Sequence, residues 1–94
     1  IEFDNITIDL NKLIIQKKSE QFKINNTEKI ILEKMINNPG KTFSRENIGK
    51  LIELDKERSI DVIITRLRKK IENDPKNPKF LQTIRGIGYV LWIE

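Results

Sequence analysis

The chain has 94 residues, of which 37% are hydrophobic and 34% are charged, and its net charge is +4. This length and balance are typical of one soluble globular domain, so we predict a single domain over residues 1–94, cut from a longer protein because the chain opens on Ile1. No apolar run is long enough to span a membrane. Histidine and cysteine are absent, which removes the usual general base, thiol nucleophile and soft metal ligands. We therefore expect no enzyme activity, no cofactor and no metal site.

The charge is unevenly distributed along the chain. Residues 1–55 contain nine basic and nine acidic residues, whereas residues 56–94 contain nine basic and five acidic residues. Residues 58–70 alone contain five basic residues and one acid. This asymmetry indicates a polyanionic partner, although a solvated basic helix face has the same composition.

The first 24 residues show the alternation of β-strands. Ile6, Ile8 and Leu10 alternate with polar residues, and further apolar positions follow at 13–15, at 22 and at 24 after short polar turns. This pattern predicts a small antiparallel sheet.

Two helices are predicted next. Apolar residues recur at helical spacing within residues 26–38, and Asn25 with Glu28 forms a capping-box pattern at the start. The sequence NNPG stops this helix, and a second, short helix begins after the cap Ser44 and runs to about Ile52. The polar loop ELDKE follows.

A third helix, predicted over residues 58–73, has two different faces. Its core stripe consists of Ile60, Ile64, Leu67 and Ile71. The opposite face carries Arg58, Val62, Thr65, Arg66 and Lys69. A solvated face commonly mixes charges of both signs, but these cations have no acid among them and surround a valine. Because arginine pairs with guanine, and valine or threonine contacts a thymine methyl, we favour a helix that reads the DNA major groove.

Residues 80–84 and 89–93 are predicted to form two strands joined across the sequence RGIG. This element lacks the glycine number and the lysine of a P-loop, and it joins two strands, so we interpret it as a hairpin turn. We expect Ile87 to cap the turn, and Phe80 and Trp92 to pack in the core.

Three motifs follow one another along nearly the whole chain. They are NNTEKIILEKMINNPGKTFSRENI, then RSIDVIITRLRKK with a DP-containing loop, then QTIRGIGYV. In this order and at these intervals they resemble the C-terminal effector domain of the OmpR/PhoB class of bacterial response regulators.

The resemblance implies an α+β fold of the winged helix-turn-helix type, with an N-terminal four-stranded antiparallel sheet, three helices and a C-terminal β-hairpin wing. It implies that the third helix enters the major groove and that the wing reaches the adjacent backbone or minor groove. It also implies a cytoplasmic two-component transcriptional regulator that binds direct-repeat promoter sites in double-stranded DNA as a tandem dimer. A receiver domain, absent from this chain, would control that binding by its phosphorylation.

The resemblance further assigns residues to two surfaces. The expected DNA-binding residues are Arg58, Val62, Thr65, Arg66, Arg68, Lys69, Lys70, Thr83, Arg85 and Tyr89. The expected RNA polymerase contact is the loop of Glu53, Leu54, Asp55, Lys56 and Glu57. Arg66 is the predicted base reader, with Arg58 and Lys69 on phosphates. Val62 is the predicted methyl contact, and Lys70 is a weaker phosphate candidate.

Two further side chains have open or structural roles. Asp61 lies near Arg68 around the helix and is expected to hold an arginine rather than to contact DNA. Tyr89 either reaches a phosphate or covers the sheet as a strand aromatic.

Three positions depart from the family pattern. Ile63 replaces a residue that is often polar, Thr65 replaces a frequent arginine or serine, and Val90 replaces an arginine that often follows the wing tyrosine. Each change removes a possible phosphate contact, so the affinity is expected to be lower or to depend more on dimerisation.

Two other functions are compatible with the same elements. One is a protein-interaction module that docks on RNA polymerase or a partner domain. The other is RNA binding, which is disfavoured because the sequence offers no exposed stacking aromatics on a sheet.

Overall fold

A four-stranded antiparallel sheet opens the computed structural model, which describes residues 1–52 and 57–93 and, at residues 57–59, the backbone alone. Its strands, in spatial as in chain order, are β1 (Glu2–Phe3), β2 (Ile6–Asp9), β3 (Ile14–Lys17) and β4 (Glu20–Lys23). Ile8 pairs with Ile15 across β2 and β3, and both side chains are buried. The alternating pattern therefore places one face of this sheet against the core, as predicted.

Helices α1 (Asn26–Ile36) and α2 (Arg45–Leu51) begin at the predicted caps. The side chain of Asn25 accepts a hydrogen bond from the Glu28 amide at 2.8 Å, and the Glu28 carboxylate accepts one from the Asn25 amide at 3.0 Å. Ser44 and Asn47 form the same reciprocal pair at the start of α2. These bonds satisfy amides that a helix start leaves without partners.

Helix α3 (Glu57–Ile71) packs its predicted apolar stripe into the core. The four residues of that stripe have no measurable exposure: Ile60, Ile64, Leu67 and Ile71. The core that receives them draws apolar side chains from both ends of the chain and from all three of these helices. None of the described helices is long and apolar enough to cross a membrane.

The C-terminal hairpin belongs to a second sheet of three strands. Strand β5 (Thr42–Phe43) pairs with β7 (Gly88–Leu91), which in turn pairs with β6 (Leu81–Ile84). The predicted hairpin is therefore confirmed, but β5 was not predicted, because a strand of two residues has too few positions to show alternation. The predicted winged helix-turn-helix architecture is confirmed as a whole.

The prediction for Trp92 was wrong. Phe80 is buried and meets Phe3 edge-to-face, with ring centroids 4.9 Å apart, whereas Trp92 is 48% exposed. Trp92 follows the end of β7 and lies over Gly40, where an added Cβ would come within 3.3 Å of the indole ring. One side of the ring therefore covers a turn, and the position beyond the strand leaves the rest of the ring in solvent.

Candidate nucleic-acid interface

The outer face of α3 brings together four of the predicted residues. Val62, Thr65, Arg66 and Lys69 are all exposed, and Val62 retains 46% exposure. The hydroxyl of Thr65 donates to the carbonyl oxygen of Asp61 at 2.8 Å, within the same helix. This face therefore presents two cations beside an open apolar side chain, in a helix whose other side is fixed in the core.

Part of the predicted surface lies outside the described residues. Arg58 belongs to the first turn of α3, but its side chain is not among those described. The same holds for Glu57, and residues 53–56 of the predicted polymerase loop lie wholly outside the described part.

The wing presents Arg85 at its turn. The amide of Ile87 donates to the carbonyl oxygen of Ile84 at 2.9 Å and closes the turn, with Gly86 at a φ of +77°. A positive φ at the third turn position suits glycine, which explains that residue. Arg85 and Ile87 are exposed, Ile87 by 61%, so the tip carries one cation and one apolar side chain.

Gly88 serves a different purpose from Gly86. A Cβ at Gly88 would lie only 2.0 Å from the carbonyl oxygen of Phe43, which is backbone and cannot move aside easily. The second glycine of the GIG sequence thus allows the start of β7 to approach the neighbouring strand β5 closely.

Asp61 joins three elements at the base of the wing. Its carboxylate Oδ1 accepts a hydrogen bond from Nε of Arg45 at 2.8 Å and another from the phenol of Tyr89. The hydrogen bond from Arg45, and then that from Tyr89, lower the pKa of Asp61 from its ordinary value. Asp61 therefore holds an arginine, as predicted, but the arginine is Arg45 of α2 rather than Arg68.

Arg68 is directed at the wing. Its Nε donates to the carbonyl oxygen of Leu81 at 2.8 Å, and its Nη2 donates to the hydroxyl of Thr83 at 2.7 Å. Its guanidinium carbon also lies 5.6 Å from the centre of the Tyr89 ring. Both side-chain hydrogen bonds found for Arg68 among the described residues therefore go to β6, and its interaction with Asp61 is one of charge alone.

Tyr89 and Lys70 are positioned by the fold rather than left free on the surface. Tyr89 is only 5% exposed, so the alternative in which this aromatic covers the sheet describes its ring. Burial raises the pKa of Tyr89, and the hydrogen bond to Asp61 raises it further. The ammonium of Lys70 lies 2.9 Å and 3.0 Å from the carboxylate oxygens of Glu28, which is buried at the start of α1.

Arg45 was not among the residues predicted from the sequence. It is the first residue of α2, its side chain is half exposed, and it lies beside the wing in a crevice that Thr83 and Tyr89 also line. The sequence shows a basic residue directly after the helix cap Ser44. Its hydrogen bond to Asp61, however, spans 16 positions in sequence, and no local pattern indicates such a contact.

Comparisons with known proteins agree with this geometry. Residues 19–91 match the family model described as the C-terminal part of transcriptional regulatory proteins. The chain is 42% identical over 97 residues to a probable transcriptional regulator, ycf27, of Guillardia theta, and the alignment covers 96% of this chain and 38% of that relative. The chain thus spans well under half the length of that curated relative.

Solved structures share the same architecture. The response regulator DrrB of Thermotoga maritima, described as an OmpR/PhoB homologue, superposes with a TM-score of 0.85 at 30% identity. The superposition covers 98% of this chain and 43% of the DrrB chain. The DNA-binding domain of Klebsiella pneumoniae RstA, solved in complex with the RstA box, superposes with a TM-score of 0.80 at 26% identity, over 98% of this chain and 95% of that one.

The fold and the open basic face together define a winged helix-turn-helix protein. The chain belongs to the family of C-terminal domains of transcriptional regulatory proteins, in the OmpR/PhoB class. The predicted resemblance is confirmed, and the family is one of regulators rather than of enzymes. These findings do not favour the alternative of a protein-interaction module.

Proposed function

We propose that this chain binds specific sequences of double-stranded DNA, as the effector domain of a two-component transcriptional regulator. The observation that carries the proposal is the outer face of α3, where Arg66 and Lys69 flank the exposed Val62 while the opposite face is fully buried. The match to the family of transcriptional regulators supports it. The complex of the RstA domain with its box is a precedent from a protein 26% identical to this chain.

The dimensions of α3 suit the major groove. Its 15 residues correspond to a helix about 22 Å long, and the groove of B-DNA is about 12 Å wide. In this pose Arg66 pairs with a guanine edge, Val62 contacts a thymine methyl, and Lys69 neutralises a phosphate. Arg85 on the wing reaches the adjacent backbone or minor groove.

The proposal has finer parts that belong to the whole regulator. We propose that it acts in the cytoplasm, binds direct-repeat sites as a tandem dimer, and contacts RNA polymerase through residues 53–57. A receiver domain elsewhere in the regulator would control these steps by its phosphorylation. The chain itself would carry no catalytic activity and no cofactor.

The test is DNA binding by the purified chain. Random duplexes should be enriched on it, and the selected duplex then compared with a scrambled one at several salt concentrations. With about three to five phosphate contacts per monomer, we expect a slope of log affinity against log salt near −3 to −5. A slope near zero, or equal affinity for the scrambled duplex, would contradict the proposal.

Substitution of individual arginines should distinguish a base contact from a backbone contact. Arg66→Ala should cost about 1–3 kcal/mol on the selected duplex and relax the preference at one base pair, because a bidentate base contact is lost. Arg85→Ala should weaken selected and scrambled duplexes by similar factors, since a backbone contact carries no sequence information. Lys23→Ala, on β4 at the outer edge of the N-terminal sheet, is the matched control for loss of one positive charge. Equal losses on both duplexes for Arg66→Ala would refute its assignment as base reader.

A further inference from the structure

The wing is bound to α3 at two separate points. A two-stranded hairpin is only marginally stable by itself, and β5 supports β7 through only two residues. Leu81 and Leu91 anchor the hairpin in the core, and polar side chains of α3 add contacts that fix its orientation. Among the described residues of α3, two polar side chains bind the hairpin, one from the second turn of the helix and one from a position two turns further along.

The first tether is Asp61. Its carboxylate binds the phenol of Tyr89 on β7 and the guanidinium of Arg45 on α2, so α2, α3 and the wing meet at one oxygen. Tyr89 is the more deeply buried partner and pairs with Thr83 across the hairpin. A displacement of the wing would therefore break a hydrogen bond to a charged group.

The second tether is Arg68. The planar guanidinium uses two of its donors on β6, at the Leu81 carbonyl and the Thr83 hydroxyl. A fork of this kind fixes direction as well as distance, which a lysine ammonium cannot do. Together the two tethers hold both strands of the hairpin, β7 through Tyr89 and β6 through Leu81 and Thr83.

We propose that Asp61 and Arg68 are positioning residues for DNA binding, which hold the wing so that Arg66 on α3 and Arg85 on the wing meet one duplex together. This inference rests on the proposed DNA binding. Its physical basis is preorganisation: a wing already fixed in place loses little conformational freedom when the duplex binds, so the contact of Arg85 adds its full free energy to that of Arg66.

Asp61 allows a test in which electrostatics and positioning predict opposite results. Asp61→Ala removes a negative charge from the side that faces DNA, so a purely electrostatic effect would tighten binding. If Asp61 positions the wing, the same change instead weakens binding to the selected duplex, by about five- to tenfold, the scale of one typical net hydrogen bond. Tighter or unchanged binding by Asp61→Ala overturns the inference.

Arg68→Lys provides an independent second variant. It keeps the positive charge but loses the two-donor fork, so a simple phosphate contact would be largely retained. We expect about tenfold weaker binding to the selected duplex in an otherwise unchanged chain. In the Arg85→Ala background, where the wing no longer contributes, the same substitution should cost less than about twofold. In the matched Arg66→Ala background the full tenfold loss should remain.

The failures of the two proposals are distinguishable. If the unaltered chain binds no duplex selectively, the proposed function fails, whatever the variants do. If it binds selectively, but Arg68→Lys costs the same with and without Arg85, the positioning role is refuted and DNA binding stands. Hydrogen exchange of the Ile87 amide in the free variants, measured after circular dichroism has shown them folded, should rise, since that amide closes the wing turn. Unchanged exchange would also count against the tethers.

Discussion

Asp61 connects three elements of the site, α2, α3 and β7. Two donors from different elements, Arg45 and Tyr89, bind one carboxylate oxygen, and Arg68 adds a favourable charge interaction. Because these groups stabilise the ionised form, the folded-state pKa of Asp61 lies below its ordinary value of 3.8. The stability that Asp61 contributes is thus present above that ordinary value and is lost as the pH falls through the folded-state pKa. The effect should be modest, since the side chain is 44% exposed.

Tyr89 gives a direct spectroscopic measure of the same contact. It is the single tyrosine of the chain, so a titration of ultraviolet absorbance follows this phenol alone. Burial and Asp61 raise its pKa above the ordinary value of 10.0, and Asp61→Asn should move the midpoint back towards that value by weakening the second cause. Lys23→Asn, remote on β4, should leave the midpoint unchanged. A midpoint that does not move in Asp61→Asn would show that the phenol is not bound to Asp61.

Sequence patterns report little about side chains that pair over long distances. The basic residues of α3 were all visible as candidates, and Val62, Arg66 and Lys69 do lie on its open face. The family resemblance added Arg68 and Lys70 to them, because a shared motif matches residue types but does not report the neighbour at the end of a long side chain. Those neighbours, the wing and the Glu28 carboxylate, are brought near only by folding.

At the scale of elements, the C-terminal end of α3 is fixed from two directions. The ammonium of Lys17 on β3 donates to the carbonyl oxygens of Glu72 at 2.7 Å and Lys69 at 3.3 Å, which are end groups without partners in the helix. The buried carboxylate of Glu72 accepts from the amides of Lys79, Phe80 and Leu81 at 2.7–3.3 Å. One carboxylate therefore connects the end of α3 to the start of β6.

Removal of that carboxylate should be costly. Glu72→Ala leaves amides of residues 79–81 without acceptors in a site where Glu72 is 1% exposed, so we expect a loss of about 3–5 kcal/mol in the free energy of unfolding. Urea denaturation measures it. The control is Glu46→Ala, which removes an exposed i,i+4 ion pair with Lys50 and should cost less than about 0.5 kcal/mol. Similar midpoints for the two variants would show that the Glu72 contacts are not stabilising.

At the scale of the whole molecule, core and interface are opposite sides of the same helix. The buried stripe of α3 meets apolar side chains from both sheets and from α1 and α2, so its orientation is fixed by the whole core. This orientation determines where the basic residues of α3 lie. Arg66 and Lys69 point outward, whereas Arg68 and Lys70 bind neighbouring elements. The ion pair of Lys70 with Glu28 joins α1 to α3 in this way.

The sequence by itself determined the helices, the N-terminal sheet, the hairpin and the face of α3 that is open to solvent, but not the two-residue strand β5. Apolar residues at helical spacing, the caps at Asn25 and Ser44 and Gly86 of the wing turn are local signals, because each depends on neighbours within about four residues. Only the tertiary structure decided which cations remain on that surface. Asp61 binds Arg45 and Tyr89, Arg68 binds the wing, and Trp92 is half exposed. These outcomes depend on which elements folding places side by side.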